Sequence, residues 1–162
     1  MIKTLTGAAL SSVCLLTATH AWSAVERETF EVFVQIPTAD FYVLPVDPQV
    51  VQREQSLPYN PVSSELSPLR AQFEVKNIGG AIGARLEELP FLYNGWNRID
   101  LRVTFNQQEL GLERTEVVSS TDAKPGKRVA LEIAAIKPSG DYRPGSYYGT
   151  VSLIFDATAP GI

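Results

Sequence analysis

The sequence predicts an all-β fold, a β-sandwich of immunoglobulin-like kind. Apolar and polar residues alternate in several short segments, which is typical of strands that bury one face. Gly, Pro and Asn residues separate these segments at short intervals, and no segment has a convincing amphipathic helical period. Strands with one apolar face belong to antiparallel sheets, and two such sheets packed face to face form a sandwich.

The first 24 residues are expected to be a signal peptide. Lys3 supplies a positive start, Leu5 to Leu16 form a short apolar stretch, and small residues allow cleavage after Ser23 or Ala24. The apolar stretch is too short to span a bilayer, and no later one is longer. We therefore expect an exported, soluble protein whose remaining residues form about one domain.

Composition excludes several classes of function. Loss of residues 1–24 removes one of 14 basic residues and none of 18 acidic ones, so the net charge changes from −4 to −5. Without a basic patch, nucleic acid and anionic membranes are not expected partners. Cys14 and His20 both lie in the signal segment, so the mature chain has neither residue type. We expect no disulfide, no metal, no cofactor and no enzymatic activity.

The first predicted strand is TFEVFVQI, residues Thr29 to Ile36, and Pro37 ends it. Phe33 lies on the face opposite to its apolar residues. This strand either pairs within its own sheet or joins the sheet of another molecule, and the pattern alone leaves both alternatives open. The apolar face comprises Phe30, Val32, Val34 and Ile36.

The rest of the chain supplies the sandwich. The segment from Pro45 to Pro68 carries five prolines and is predicted to be loop and edge strand. A helical turn is considered for Ala81 to Leu89, although Gly83 weakens it. The last strand runs nearly to the end of the sequence, so a further C-terminal strand is not expected. The predicted strands are Leu69–Lys76, Ile99–Phe105, Arg128–Ile136 and Tyr147–Asp156.

Four segments resemble the major pilins of the CS1/CFA-I type, the shaft subunits of alpha-class chaperone–usher fimbriae. Gly149 is the fourteenth residue from the C-terminus, as in the carboxy-terminal pattern of chaperone–usher pilins, whereas Gly161 stands where many of them have Tyr. The segments are VERETFEV (Val25–Val32), SLPYNP (Ser56–Pro61), RIDLRVTFNQQELG (Arg98–Gly111) and GSYYGTVSLIF (Gly145–Phe155).

The resemblance implies an incomplete immunoglobulin-like β-sandwich completed by donor-strand exchange, an established mode of strand addition. Residues 25–37 would be the donor strand, inserting Phe30, Val32, Val34 and Ile36, and residues 38–162 would be the pilin domain. The acceptor groove would be formed by Tyr147, Gly149, Val151, Leu153 and Phe155.

The length and the apolar face of residues 29–36 are compatible with the role of a donor strand. Eight residues span about 26 Å as a strand. Burial of the four apolar side chains contributes roughly 6–12 kcal/mol as an upper estimate. A head-to-tail contact that does not close builds an open filament.

The resemblance also implies partners and a location. The chain would be held by a periplasmic chaperone and then polymerise with identical subunits through an outer-membrane usher, and a tip adhesin would be a further partner. It would pass through the periplasm to a fimbrium on the bacterial cell surface. The alternative is a self-contained exported β-sandwich that binds carbohydrate or another ligand.

Other residues have both a functional and a structural interpretation. Tyr93 and Trp96 flank an Asn-Gly turn and are weak candidates for a glycan contact, but a turn in which Trp96 covers the end of the sandwich is preferred. Tyr147 is expected to point inward and Tyr148 to the other face. Four carboxylates lack the spacing of a calcium loop and are expected to be solvated: Glu87, Glu88, Asp122 and Asp141.

Overall fold

The structure is a computed structural model, and it describes residues 40–157. The predicted signal peptide, the predicted donor strand with Phe30, Val32, Phe33, Val34 and Ile36, and Gly161 lie outside the described residues. Within the described range, no helix has the length and apolarity needed to cross a membrane.

Short strands dominate the described chain, and each of the two helices has four residues. In chain order the elements are β1 Phe41–Pro45, α1 Gln49–Gln52, β2 Tyr59–Asn60, β3 Glu65–Leu66, β4 Leu69–Asn77, β5 Ile82–Leu86, β6 Phe91–Tyr93, β7 Arg98–Phe105, β8 Gln108–Glu109, β9 Thr115–Val118, α2 Ser120–Ala123, β10 Lys127–Ala135 and β11 Leu153–Ala157.

The strands form two larger sheets and one ribbon, with antiparallel pairing throughout. The first sheet has the order β1-β4-β10-β7-β6, and β8 pairs with β7. The second has the order β11-β5-β9, and β2 pairs with β3 in the ribbon. The ribbon in the proline-rich segment agrees with the predicted loop and edge strand, whereas the short helix α1 in the same segment was not predicted.

The middle of the first sheet carries much of the core. Phe73 of β4 lies opposite Val129 of β10, and Leu131 of β10 lies opposite Phe105 of β7. All four side chains are buried, and their polar neighbours along each strand face outward. The three strands predicted from alternation here are therefore confirmed.

The suggested helical turn between Ala81 and Leu89 is wrong, because this segment contains the central strand of the second sheet. β5 pairs with β11 on one side and with β9 on the other. Its alternate residues Ile82, Ala84 and Leu86 are buried. The tertiary context therefore decides the conformation of a segment whose own pattern is ambiguous.

Asparagine residues occupy two of the turns between strands. The Asn77 side chain is buried; its Nδ2 donates to the Ala81 carbonyl at 2.8 Å, and its Oδ1 accepts from the Gly79 N–H at 3.0 Å. Asn106 and Gln107 join β7 to β8 with φ values of 49° and 66°. Two successive positive φ angles are typical of the tight hairpin turns that suit twisted strands.

Candidate subunit interface

The C-terminal strand β11 is at one end of the second sheet. It pairs antiparallel with β5, with Leu153 opposite Leu86 and Phe155 opposite Ala84. Among residues 40–157, β5 is the only strand that pairs with β11. The opposite backbone edge of β11 is therefore not occupied by any described strand.

The regular strand is shorter than the predicted Tyr147–Asp156. Ahead of Leu153 the pairing is reduced to an isolated bridge in which Tyr148 and Tyr93 exchange backbone hydrogen bonds of 2.8 and 3.1 Å. The Glu87 N–H also donates to the Ser152 carbonyl at 3.1 Å. The C-terminal segment thus follows residues 82–93 from the second sheet to the β6 edge of the first.

Gly149 lies where two backbones come very close. A Cβ atom built on Gly149 would lie 2.0 Å from the Phe91 carbonyl oxygen and 3.1 Å from a methyl carbon of Leu92. Real Cβ atoms do not approach a carbonyl oxygen so closely, and a backbone atom cannot turn aside as a flexible side chain does. Glycine at this position permits the bridge between the C-terminal segment and β6.

The apolar residues of the C-terminal segment reach the core but are only half-buried. Val151, Leu153 and Phe155 pack against buried core residues. The Phe155 ring lies 4.8 Å from the Phe105 ring, centroid to centroid. These three predicted acceptor residues therefore form an incompletely covered part of the core.

The two predicted tyrosines differ in exposure. Tyr147 is half-buried, and its hydroxyl donates to the Arg143 carbonyl at 2.9 Å. Tyr148 is 65% exposed. Tyr147 therefore belongs to the loop before β11, where its hydroxyl fixes that loop.

β1 carries similar half-buried residues at the end of the first sheet. Phe41 and Val43 of this strand pack against the core without being fully covered by it. Among the described residues, β1 and the C-terminal segment together supply five of the ten partly buried apolar residues that contact the core. The core is therefore incompletely covered at β1 and at the C-terminal segment.

The predicted cover of the sandwich by Trp96 is wrong, because this side chain is 91% exposed. Asn94 Oδ1 accepts from the backbone N–H groups of Trp96 and Asn97 at 3.0 and 2.7 Å, and Gly95 has a φ of +94°. This tight turn directs residue 96 away from the sheets. Tyr93, on the same hairpin, is 47% exposed.

The four carboxylates that lack the spacing of a calcium loop are exposed on the surface. Asp122 pairs with Lys127 at 2.9 Å, and Asp141 lies 3.7 Å from Lys137. Glu87 and Glu88 are exposed beyond the end of β5. Within the described range, no three His, Cys, Asp or Glu side chains are grouped as metal ligands.

A cavity of 500 Å³ that the sequence did not predict lies between two distant loops. The rings of Tyr59 and Tyr142 meet edge to face across it at 6.1 Å. Burial, followed by the nearby charge of Glu65, raises the pKa of the Tyr142 hydroxyl above its usual value. The lining includes Leu57, Tyr59, Leu66, Leu92, Tyr142 and Tyr147.

Comparison with solved structures reveals a similar fold. The structure of the CooA pilin subunit from enterotoxigenic Escherichia coli has a TM-score of 0.61 and 19% sequence identity to this chain. The match covers 75% of this chain and 90% of the pilin. At this identity the likeness shows the fold alone, an all-β immunoglobulin-like pilin fold. Comparison with curated proteins gives no match.

Comparison with protein families identifies a sequence relationship over most of the chain. Residues 26–156 match the family of the CS1 type fimbrial major subunit. The match includes the predicted N-terminal strand and the whole described sandwich except for its last residue. The chain therefore belongs to the CS1 type fimbrial major subunit family and is a structural subunit of a cell-surface pilus shaft, where it polymerises with other pilin subunits.

Proposed function

We propose that the subunits polymerise by donor-strand exchange, with the N-terminal strand of one subunit adding to β11 of the next. The observation that carries this proposal is the incomplete burial and one-sided pairing of β11. Its residues Leu153 and Phe155 contact the core but are half-buried, and among the described residues it pairs on one side only. An inserted strand would cover these side chains and satisfy the backbone edge at the same time.

The sequence of residues 25–37 has the properties of such a donor. Phe30, Val32, Val34 and Ile36 alternate along a segment that spans about 26 Å when extended. This length exceeds that of β11 and would also reach residues 150–152 ahead of it. Insertion of four apolar side chains contributes roughly 6–12 kcal/mol at most, enough for a durable contact.

The proposal includes an order of events and a set of partners. After removal of residues 1–24, a periplasmic chaperone covers the half-buried strand β11, because an uncovered edge promotes aggregation. An outer-membrane usher then releases the chaperone and admits the donor strand of the next subunit. The filament carries a tip adhesin and extends from the bacterial surface.

Deletion of Val25–Ile36 tests the proposal. Fibres would be examined by electron microscopy on cells that express the full set of assembly proteins, and the chaperone-bound subunit would be measured in periplasmic extracts. We expect the deleted chain to accumulate with the chaperone and to form no fibres. Fibres of normal length from the deleted chain would contradict the proposal.

A second candidate role is a weak glycan contact by the assembled shaft at Tyr93 and Trp96. The 91% exposure of Trp96 favours it, because an exposed indole ring is available to stack on a sugar. We expect purified Trp96→Ala fibres to lose retention on a glycan array, and Trp96→Phe fibres to keep part of it. Equal retention by Trp96→Ala and unaltered fibres would exclude this role.

A further inference from the structure

We propose that Arg114 is a positioning residue for assembly, which holds β11 on the second sheet in the conformation that accepts a neighbouring strand. This inference rests on the proposed donor-strand exchange. The inference assigns a role to a residue outside β11. The contacts of the Arg114 guanidinium group support this role.

Arg114 connects the two outer strands of the three-stranded sheet. It directly precedes β9, and its Nε donates to Asp156 Oδ1 of β11 at 2.7 Å. Because β5 lies between β9 and β11, the Arg114 side chain crosses the middle strand to reach Asp156. Two strand spacings amount to about 9.6 Å, which a long arginine and an aspartate span together.

Gly83 provides the path for this crossing. It lies opposite Asp156 in the β5–β11 register, and its neighbours Ile82 and Ala84 are buried in the core. A Cβ on Gly83 would lie 2.4 Å from both Cζ and Nε of Arg114. The guanidinium group therefore occupies the space above Gly83, and any larger residue there would displace it.

The ion pair differs in kind from the cross-strand pairs of the first sheet. Arg128 pairs with Glu74, and these residues lie directly opposite each other on neighbouring strands. That pair lies on strands that are hydrogen-bonded on both sides. The Arg114–Asp156 pair instead holds the terminal strand β11 through a side chain that crosses the face of β5. A donor strand pairs with β11 in register only if β11 itself stays extended, and the ion pair favours that conformation.

The test compares purified fibres of the full chain carrying Arg114→Gln, Gly83→Ala, both changes together, or the matched control Arg128→Gln. Hydrogen–deuterium exchange would be measured separately for residues 153–157 and for β4, together with the rate of subunit dissociation at one guanidinium concentration. A general loss of stability would raise the exchange rates of both β4 and residues 153–157. A loss of β11 positioning would raise the rate of residues 153–157 alone.

We expect Arg114→Gln to speed both exchange in β11 and subunit dissociation about two- to fivefold, as for loss of one partly exposed ion pair. Gly83→Ala should have the same effect because it displaces the guanidinium, and the double variant should add little to either single change. Arg128→Gln should leave β11 exchange unaltered. Equal changes in β4 and β11, additive effects of the two substitutions, or unaltered exchange in Arg114→Gln would overturn the proposal.

If Arg114→Gln yields no fibres, the charge-reversed pair Arg114→Glu with Asp156→Arg decides the matter. Restored fibres support the positioning role, and continued absence contradicts it. The outcome is distinguishable from failure of the proposed function. Fibres formed after deletion of Val25–Ile36 would refute donor-strand exchange, whereas the exchange rates in β11 report on Arg114 by themselves.

Discussion

β4 and β11 both carry apolar residues at every second position, but they differ in how far these residues are buried. β4 lies between β1 and β10, and its residues Ala71, Phe73 and Val75 are at most 7% exposed. β11 has one neighbour among the described strands, and Leu153 and Phe155 are half-buried. Alternation therefore tells which face of a strand is apolar, but it does not tell how far that face is covered. In a family of polymerising subunits, the incompletely covered strand is the natural place for a neighbour.

The largest effect is expected from charges on the predicted donor face. Val32→Asp together with Val34→Asp would place two carboxylates in an apolar groove, where unpaired charges are strongly unfavourable. We expect complete loss of fibres by electron microscopy. Gln35→Asp, on the other face of the same segment, is the control and should leave fibres in place. Normal fibres from the double variant would show that β11 is covered in another way.

The comparison of core and edge is sharpened by Phe105→Ala and Phe155→Ala. Phe105 is fully buried between the Phe73 and Phe155 rings, so its truncation should cost about 3–5 kcal/mol and prevent accumulation of the subunit. Phe155→Ala should cost less within one subunit but should lower the denaturant midpoint of assembled fibres. Subunit abundance and fibre dissociation in guanidinium measure these two effects. Equal losses of abundance would mean that β11 belongs to the closed core.

Gly149→Ala tests the close approach between the C-terminal segment and β6. Its Cβ would collide with the Phe91 carbonyl oxygen, so we expect a loss of about 1–3 kcal/mol in unfolding free energy. Gly140→Ala is a matched control, because nothing lies within 4 Å of a Cβ at that position. Urea denaturation of fibres carrying each substitution would give the difference. Equal midpoints for the two variants would argue against a tight bridge.

The smallest effect is expected in the middle of the first sheet. Arg70 and Glu132 form an exposed cross-strand ion pair of 2.8 Å. Glu132→Gln should reduce the unfolding free energy by only about 0.2–1 kcal/mol, and less at high salt. Fibres should assemble normally, with a urea midpoint close to that of the unaltered chain. A large loss of assembly would show that this face also contacts neighbouring subunits.

The predictable part of the fold is the part fixed by local pattern. β4, β7 and β10 follow from alternation because each has one face in the core. β5 could not be predicted in this way, because Gly83 interrupts its pattern. The reason for a glycine there is contact with the side chain of Arg114, which is distant in the sequence. The position of Trp96 also escaped prediction, because the hydrogen bonds of Asn94 direct the turn away from the sheets.

The candidate site was predictable only in part. The half-buried positions of Val151, Leu153 and Phe155 agree with an apolar strand face near the end of the sequence. The bridge beside Gly149 depends on a close approach to Phe91, and a single sequence does not reveal such contacts. The cavity beside Tyr59 and Tyr142 likewise joins segments that show no relation in sequence. The donor role of residues 25–37 remains a proposal.

The register of β11 with β5 has a mechanical consequence for a filament built by strand addition. Tension along the shaft would enter each subunit through a donor strand lying beside β11 and would load the ladder from Leu153 to Ala157 in shear. In shear, the hydrogen bonds of a ladder share the load and break together, whereas peeling breaks them one at a time. Such a shaft would withstand drag without covalent links between its subunits, which the cysteine-free chain after residue 24 does not provide.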